Sequence, residues 1–146
     1  MLALTPLADV APAGDLRRRA MLNFQRLQDP AFRFEAMVVA STAKEAPGDW
    51  IGRAMLGLSL LGQVLRCEPP YLEEILARLP SALNARGYIG ELHAPGTVDE
   101  NQVGGHNGLL RGLCEYYLWK REERVLTMIR GIVSRLMVPT RPLYAA

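Results

Sequence analysis

Cysteine and histidine, the residues that most often carry metal or nucleophilic chemistry, are scarce here: two of each in 146 residues. Cys67 and Cys114 stand far apart, and neither a CxxC nor an HxxxH spacing occurs, so no zinc site is legible. Each cysteine falls within an apolar helical pattern, where a lone thiol is expected to be a small buried hydrophobe. Nothing near either one obviously lowers its pKa. An excess of one charge is missing as well, because 17 basic against 15 acidic residues leave a net charge of +2. The basic runs Arg17-Arg18-Arg19 and Lys120-Arg121 are short and read as solvated helix faces, so no nucleic-acid partner is expected. Long apolar runs are absent: Ala54 to Leu61 is interrupted by Gly57 and Ser59 and is far too short to span a bilayer. Met1 to Pro12 lacks a basic start, and Pro6 and Asp9 break any apolar core. A secretory peptide is therefore not expected, and the cytoplasm is the default location.

Hydrophobic residues make up 49% of the chain. That places it among globular proteins, and its length suits a single domain over residues 1–146 that buries roughly two-thirds of its unfolded surface. The periodicity is helical. Asp15 to Gln28 carries Leu16, Ala20, Phe24 and Leu27 on one face, and Asp29-Pro30 stops it. Ala31 to Pro47 is patterned poorly; Phe32, Phe34 and the Met37-Val38-Val39-Ala40 run suggest a short extended piece. Gly48 to Arg66 is apolar nearly all round, as in a buried helix. Its Gly52, Gly57 and Gly62 each cost up to about 1 kcal/mol relative to alanine, and close approach of a neighbouring helix is the expected compensation. Pro69-Pro70 opens another helix with Leu72, Ile75, Leu76 and Leu79 as its stripe, kinked or ended by Pro80. A second buried helix spans about Gly105 to Lys120, with Gly104, Gly108 and Gly112 forming a smooth strip. Glu122 to Met137 is amphipathic and ends at Pro139. These segments predict five helices, no convincing sheet, and an all-α fold of consecutive helical hairpins. Two inner helices that open from the same kind of polar rim suggest part of an incomplete α/α toroid.

The densest concentration of polar chemistry runs from Gly87 to Tyr117, GYIGELHAPGTVDENQVGGHNGLLRGLCEYY. It holds both histidines, His93 and His106, with Glu91, Asp99 and Glu100, just before a buried helix. Titratable groups gathered at a helix entrance are what a site on a helical scaffold looks like.

Three ordered segments, GDWIGRAMLGLSLLGQ, LNARGYIG and DENQVGGHNGLLRGLCEYYLWK, carry a family resemblance. Together they resemble the N-terminal half of an (α/α)6-barrel glycoside hydrolase of the β-L-arabinofuranosidase-like group, glycoside hydrolase family 127 and its relatives. The likeness covers roughly residues 14 to 140. In that group an acidic residue precedes a glycine-containing inner helix, a GY-hydrophobic-G loop follows, and a GH dipeptide opens the next inner helix. The resemblance implies a catalytic glutamate, a nucleophilic cysteine and metal-binding cysteines downstream of anything present here. It also implies about twelve helices where five are counted. The chain is therefore expected to be the N-terminal portion of such a protein, without catalytic residues and without a cofactor of its own, although a full-length relative can hold a metal.

What the resemblance carries over is part of a sugar-binding rim. It places His106 in the cavity, where a near-neutral imidazole can donate to a sugar hydroxyl. Asp49 and Trp50 suit a sugar as a carboxylate beside an aromatic, or equally form a helix cap beside a packed tryptophan. Tyr88 stacks on a sugar or anchors its loop. Glu100 and Gln102 hydrogen-bond a ligand, unless Glu100 only complements the helix N-terminus. Asp99 and His93 read as loop residues. If the rim forms, His106, Trp50 and Tyr88 face one cavity. Two other classes remain open: a helical-repeat protein-interaction module, and a small enzyme that self-associates to complete a toroid, since exposed apolar faces favour association.

Overall fold

The computed structural model describes residues 5–43, 46–94 and 96–144. Six helices of nine or more residues make up the fold: α1 (Gly14–Arg26), α2 (Phe34–Ala43), α3 (Asp49–Leu65), α4 (Pro70–Arg78), α5 (Glu100–Lys120) and α6 (Glu123–Ile132). No strand occurs among the described residues, and the sheet-like contact in the connection before α5 is one antiparallel bridge between Leu83 and Ile89. The fold is all-α.

Two departures from the sequence pattern have clear physical reasons. Residues 34–43 are helical rather than extended. Phe34 and Met37 are 5% and 0% exposed, and Ser41 beneath them is 1% exposed, which is a 3.6-residue stripe. Burial of that stripe outweighs the few tenths of a kcal/mol by which each valine disfavours a helix. Pro139 does not end the last helix. The chain passes through a π-helical turn, Val133–Met137, and continues over Val138–Thr140. Pro139 has no N–H to offer the carbonyl four residues back, and a wider turn is one way a helix accommodates that.

Cross-helix contacts fix the directions. Along α3 and α5, Gln63 Nε2 donates to Glu115 Oε1 at 2.9 Å, and a Cβ at Gly62 would meet the Trp119 ring. Toward their N-termini, a Cβ at Gly112 would lie 2.5 Å from Gly52 O. Residue numbers rise together, so these helices run parallel. The outer helices are parallel too: Arg33 pairs with Glu74 at 2.8 Å and Glu35 with Arg78, joining α2 to α4. Arg124 reaches Glu73 at 2.8 Å, joining α6 to α4. The result is two layers, α3 and α5 against α2, α4 and α6. The hairpins α3–α4 and α5–α6 turn through arginines in the left-handed region, Arg66 (φ 55°) and Arg121 (φ 58°). Between the layers lies the core, with Ile51, Met55 and Leu58 of α3, Leu72, Ile75 and Leu76 of α4, Leu109, Leu113 and Tyr116 of α5, and Val125 and Ile132 of α6.

The glycines of α5 that let it touch α3 are Gly108 and Gly112, while Gly105 admits the backbone of Ala46 and Pro47 just before α3; the expected strip does not include Gly104, beside which an added Cβ would meet nothing within 4 Å. α1 contributes no buried residue; Phe24 and Leu27 pack against the core while Leu16 is 64% exposed.

Candidate functional site

Gly48, in the left-handed region at φ 90°, is the N-cap of α3 and delivers Asp49 to the first helical position. One turn on, Arg53 returns Nε to Asp49 Oδ2 at 2.8 Å. Asp49 therefore does not cap its helix by a side-chain bond; it sits over Gly108, where a Cβ would come within 2.7 Å of its Oδ1. The Asp49–Arg53 pair forms a ridge between two depressions. On the α5 side, a groove of about 350 Å³ is lined by Asp49, Arg53 and Leu56 of α3 with Gly104, Asn107, Gly108 and Arg111 of α5. On the other side, a depression of about 510 Å³ is lined by Arg26, Leu27, Phe32, Trp50 and Ala54 together with the same pair. Both fall in the size range of about 300–1,000 Å³ common for small-ligand sites. Positions 49, 53 and 56 form one stripe of α3, and 104, 107, 108 and 111 one stripe of α5. Each lies away from the positions that pack on the outer layer.

Chemically this surface suits a polyhydroxylated ring. Asp49 accepts from hydroxyls, Asn107 both donates and accepts, and the guanidinium groups donate. Trp50 and Phe32 supply apolar surface on the far side of the ridge for the C–H face of a ring. Arg53, Asn107 and Arg111 were not singled out from the sequence. Their signal was polar residues at helical spacing on two otherwise apolar helices, legible only once the two stripes are known to adjoin.

The other expected rim residues are placed differently. His106 is 0% exposed. Its Nε2 accepts from the Ile89 N–H at 3.0 Å, and Nδ1 lies 2.7 Å from Gln102 O. With a backbone donor on one nitrogen and a backbone acceptor on the other, the ring is the neutral Nδ1–H tautomer. Burial lowers its pKa, with the bond to Gln102 O acting in the opposite sense. As placed, His106 offers no atom to a sugar hydroxyl. Gln102, 1% exposed, donates from Nε2 to Ile89 O (3.1 Å) and Glu91 O (3.0 Å). Tyr88 is 2% exposed and meets His106 edge-on with ring centroids 6.0 Å apart. These three side chains fasten the GYIG loop to α5 in place of lining a sugar cavity.

His106, Trp50 and Tyr88 therefore do not share a cavity, and the rim expected of these three does not form. Tyr88 and Gln102, with His93 and Asp99, line a separate space of about 70 Å³, room for a few waters. Glu100 is exposed in the first turn of α5, where its charge complements the helix N-terminus. Asp99, read as a loop residue, is the N-cap of α5: its carboxylate accepts from Asn101 N at 2.9 Å and Gln102 N at 3.2 Å.

Burial pushes both thiols up, with Glu68 adding to the effect at Cys67. Neither is the buried helical thiol expected: Cys114 is exposed, and Cys67 is half-buried just past the end of α3. Among the described residues no group of three or more His, Cys, Asp and Glu side chains could hold a metal ion, and no helix is long and apolar enough to cross a membrane. No family model matches the chain, and neither does any curated protein or solved structure.

Proposed function

We propose that this chain is the carbohydrate-binding portion of a glycoside hydrolase-like α/α toroid, contributing a sugar-binding surface and no catalytic residues. One observation carries the reading: the parallel pair α3 and α5 presents a polar groove on the face turned away from the outer helices, with Trp50 just across the Asp49–Arg53 ridge. In a toroid the inner helices are parallel and line the central cavity, so this is the face a saccharide meets. The resemblance of GDWIG, GYIG and GGH to the β-L-arabinofuranosidase-like group supports the same assignment, with Asp49 and Trp50 as sugar contacts. His106, Tyr88 and Gln102 act by holding the loop.

The test is saturation-transfer NMR with a panel of free pentoses, hexoses and hexuronic acids at tens of millimolar, followed by Trp50→Ala. Binding that weakens in the variant supports the reading. No transfer to any sugar overturns it. The second reading, a helical-repeat interaction module, is favoured by the exposed α6 edge: Ile129, Val133 and Val138 line a shallow depression of about 690 Å³, and Leu118 of α5 is 58% exposed. Concentration-dependent association in sedimentation, unchanged by sugars, would favour that reading or self-association.

A further inference from the structure

We propose that the groove between α3 and α5 takes an anionic saccharide, one bearing a carboxylate or a phosphate ester, held by the guanidinium of Arg111 together with that of Arg53. This rests on the carbohydrate reading above and narrows its ligand class.

The argument is one of charge and geometry. Three ionisable groups line the groove: Asp49, Arg53 and Arg111. Asp49 and Arg53 neutralise one another at 2.8 Å. Arg111 makes no ion pair among the described residues. Glu115, one turn further along α5, stands outside the groove's lining, where it accepts from the neutral amide of Gln63 at 2.9 Å. The groove's own lining thus carries one net positive charge. Arg53 contacts Asp49 through Nε, so the donors on its two terminal nitrogens remain for a ligand.

A guanidinium fork matches a carboxylate or phosphate bidentately, and such charge-assisted bonds are roughly twice as strong as neutral ones. A neutral sugar hydroxyl gains little from that charge. Asn107 lies one helical turn before Arg111 and lines the same groove, so it can meet ring hydroxyls beside the anion. Gly108, in the same α5 stripe, lets Asp49 pack directly over the backbone, where an added Cβ would lie 2.7 Å from its Oδ1. Because the groove is solvated, the attraction is expected to be salt-sensitive.

The experiment titrates the ¹⁵N-labelled chain separately with D-galacturonate, D-galactose 6-phosphate, D-galactose and inorganic phosphate, following backbone amides of Asn107, Gly108 and Arg111. The expected result is a Kd for one or both anionic sugars roughly tenfold below that for galactose, the size one charge-assisted bond supplies. Arg111→Gln should erase that difference while its far-UV circular dichroism matches the parent, and 0.5 M NaCl should weaken the parent's binding. Which anionic sugar binds more tightly tells carboxylate from phosphate ester. Galactose binding as tightly as galacturonate and galactose 6-phosphate overturns the anion assignment and leaves the carbohydrate reading standing. No saccharide binding overturns both. Inorganic phosphate binding as tightly as either sugar reduces the groove to an ion site and overturns the saccharide assignment.

Discussion

Replacing His106 separates a structural histidine from a ligand-binding one. In the folded chain its Nε2 is the acceptor for the Ile89 N–H, at 3.0 Å in a fully buried setting. His106→Leu removes that acceptor and leaves a buried backbone donor unpaired, a cost of about 1–3 kcal/mol. Gln102 O keeps its place in the helix ladder and adds little. Against a total stability of about 5–15 kcal/mol for a domain, the loss is large enough to read in urea. It corresponds to roughly 2–4 °C in Tm per kcal/mol at this chain length. His106→Gln places an amide oxygen near the position of Nε2 and should recover part of the loss.

A pH series adds an independent test. The folded-state pKa of His106 is lowered, chiefly by burial. Its contribution to stability is therefore complete above the ordinary histidine value of about 6.5 and is lost as pH falls below it, where the unfolded chain binds a proton that the folded chain resists. The parent should lose stability as pH falls below about 6.5, and both variants should lose less over the same fall. The assay is urea unfolding followed by circular dichroism at each pH. If His106→Leu unfolds at the parent's midpoint yet loses sugar binding, the anchoring role is refuted and the histidine is a ligand group after all.

Other outcomes follow from the same contacts. Gly112→Ala puts a Cβ 2.5 Å from Gly52 O and 2.9 Å from Met55 Cβ; overpacking of about 1–3 kcal/mol should exceed the roughly 1 kcal/mol that alanine gains in helix propensity. Gly104→Ala meets nothing within 4 Å and should be neutral or stabilising in the same urea assay. Asp99→Ala removes the N-cap of α5 and should cost about 1 kcal/mol, with sugar titrations unchanged. Glu122 is held below the usual carboxylate range by the Tyr116 hydroxyl first and by Arg124 second. Its contribution is present above the ordinary carboxylate value and lost as pH falls through the lowered one, so Glu122→Gln should flatten the acid limb of the stability curve below about pH 4.5.

Much of the fold was legible from residue order. The 3.6-residue spacing of Ile51, Met55 and Leu58 and of Leu72, Ile75 and Leu79 marks two helices whatever they pack against. Pro69-Pro70 marks a start, and the glycines of α3 and α5 mark a close approach, because only a missing Cβ lets two backbones touch. The second helix was misread because Val38 and Val39 speak for a strand locally, while the burial of Phe34 and Met37 that decides the matter comes from α3 and α4, outside the window.

The functional surface was legible only in part. Asp49 and Trp50 stood out as a carboxylate beside an aromatic at a helix start, and they do border open depressions. His106, Tyr88 and Gln102 stood out for the same chemical reason, yet the fold turns them inward. A histidine's two nitrogens serve a ligand or a backbone equally well, and which partner arrives is set by where residues 88–91 cross α5. Arg53, Asn107 and Arg111 carried only a helical spacing of polar residues, which means nothing until the two stripes are known to adjoin. The sequence by itself determined five of the six helices, all but α2, and which of their faces are apolar. Only the tertiary structure decided that α3 and α5 run parallel at glycine contact, and that parallel packing is what brings Asp49 and Arg53 together with Asn107 and Arg111 at one groove.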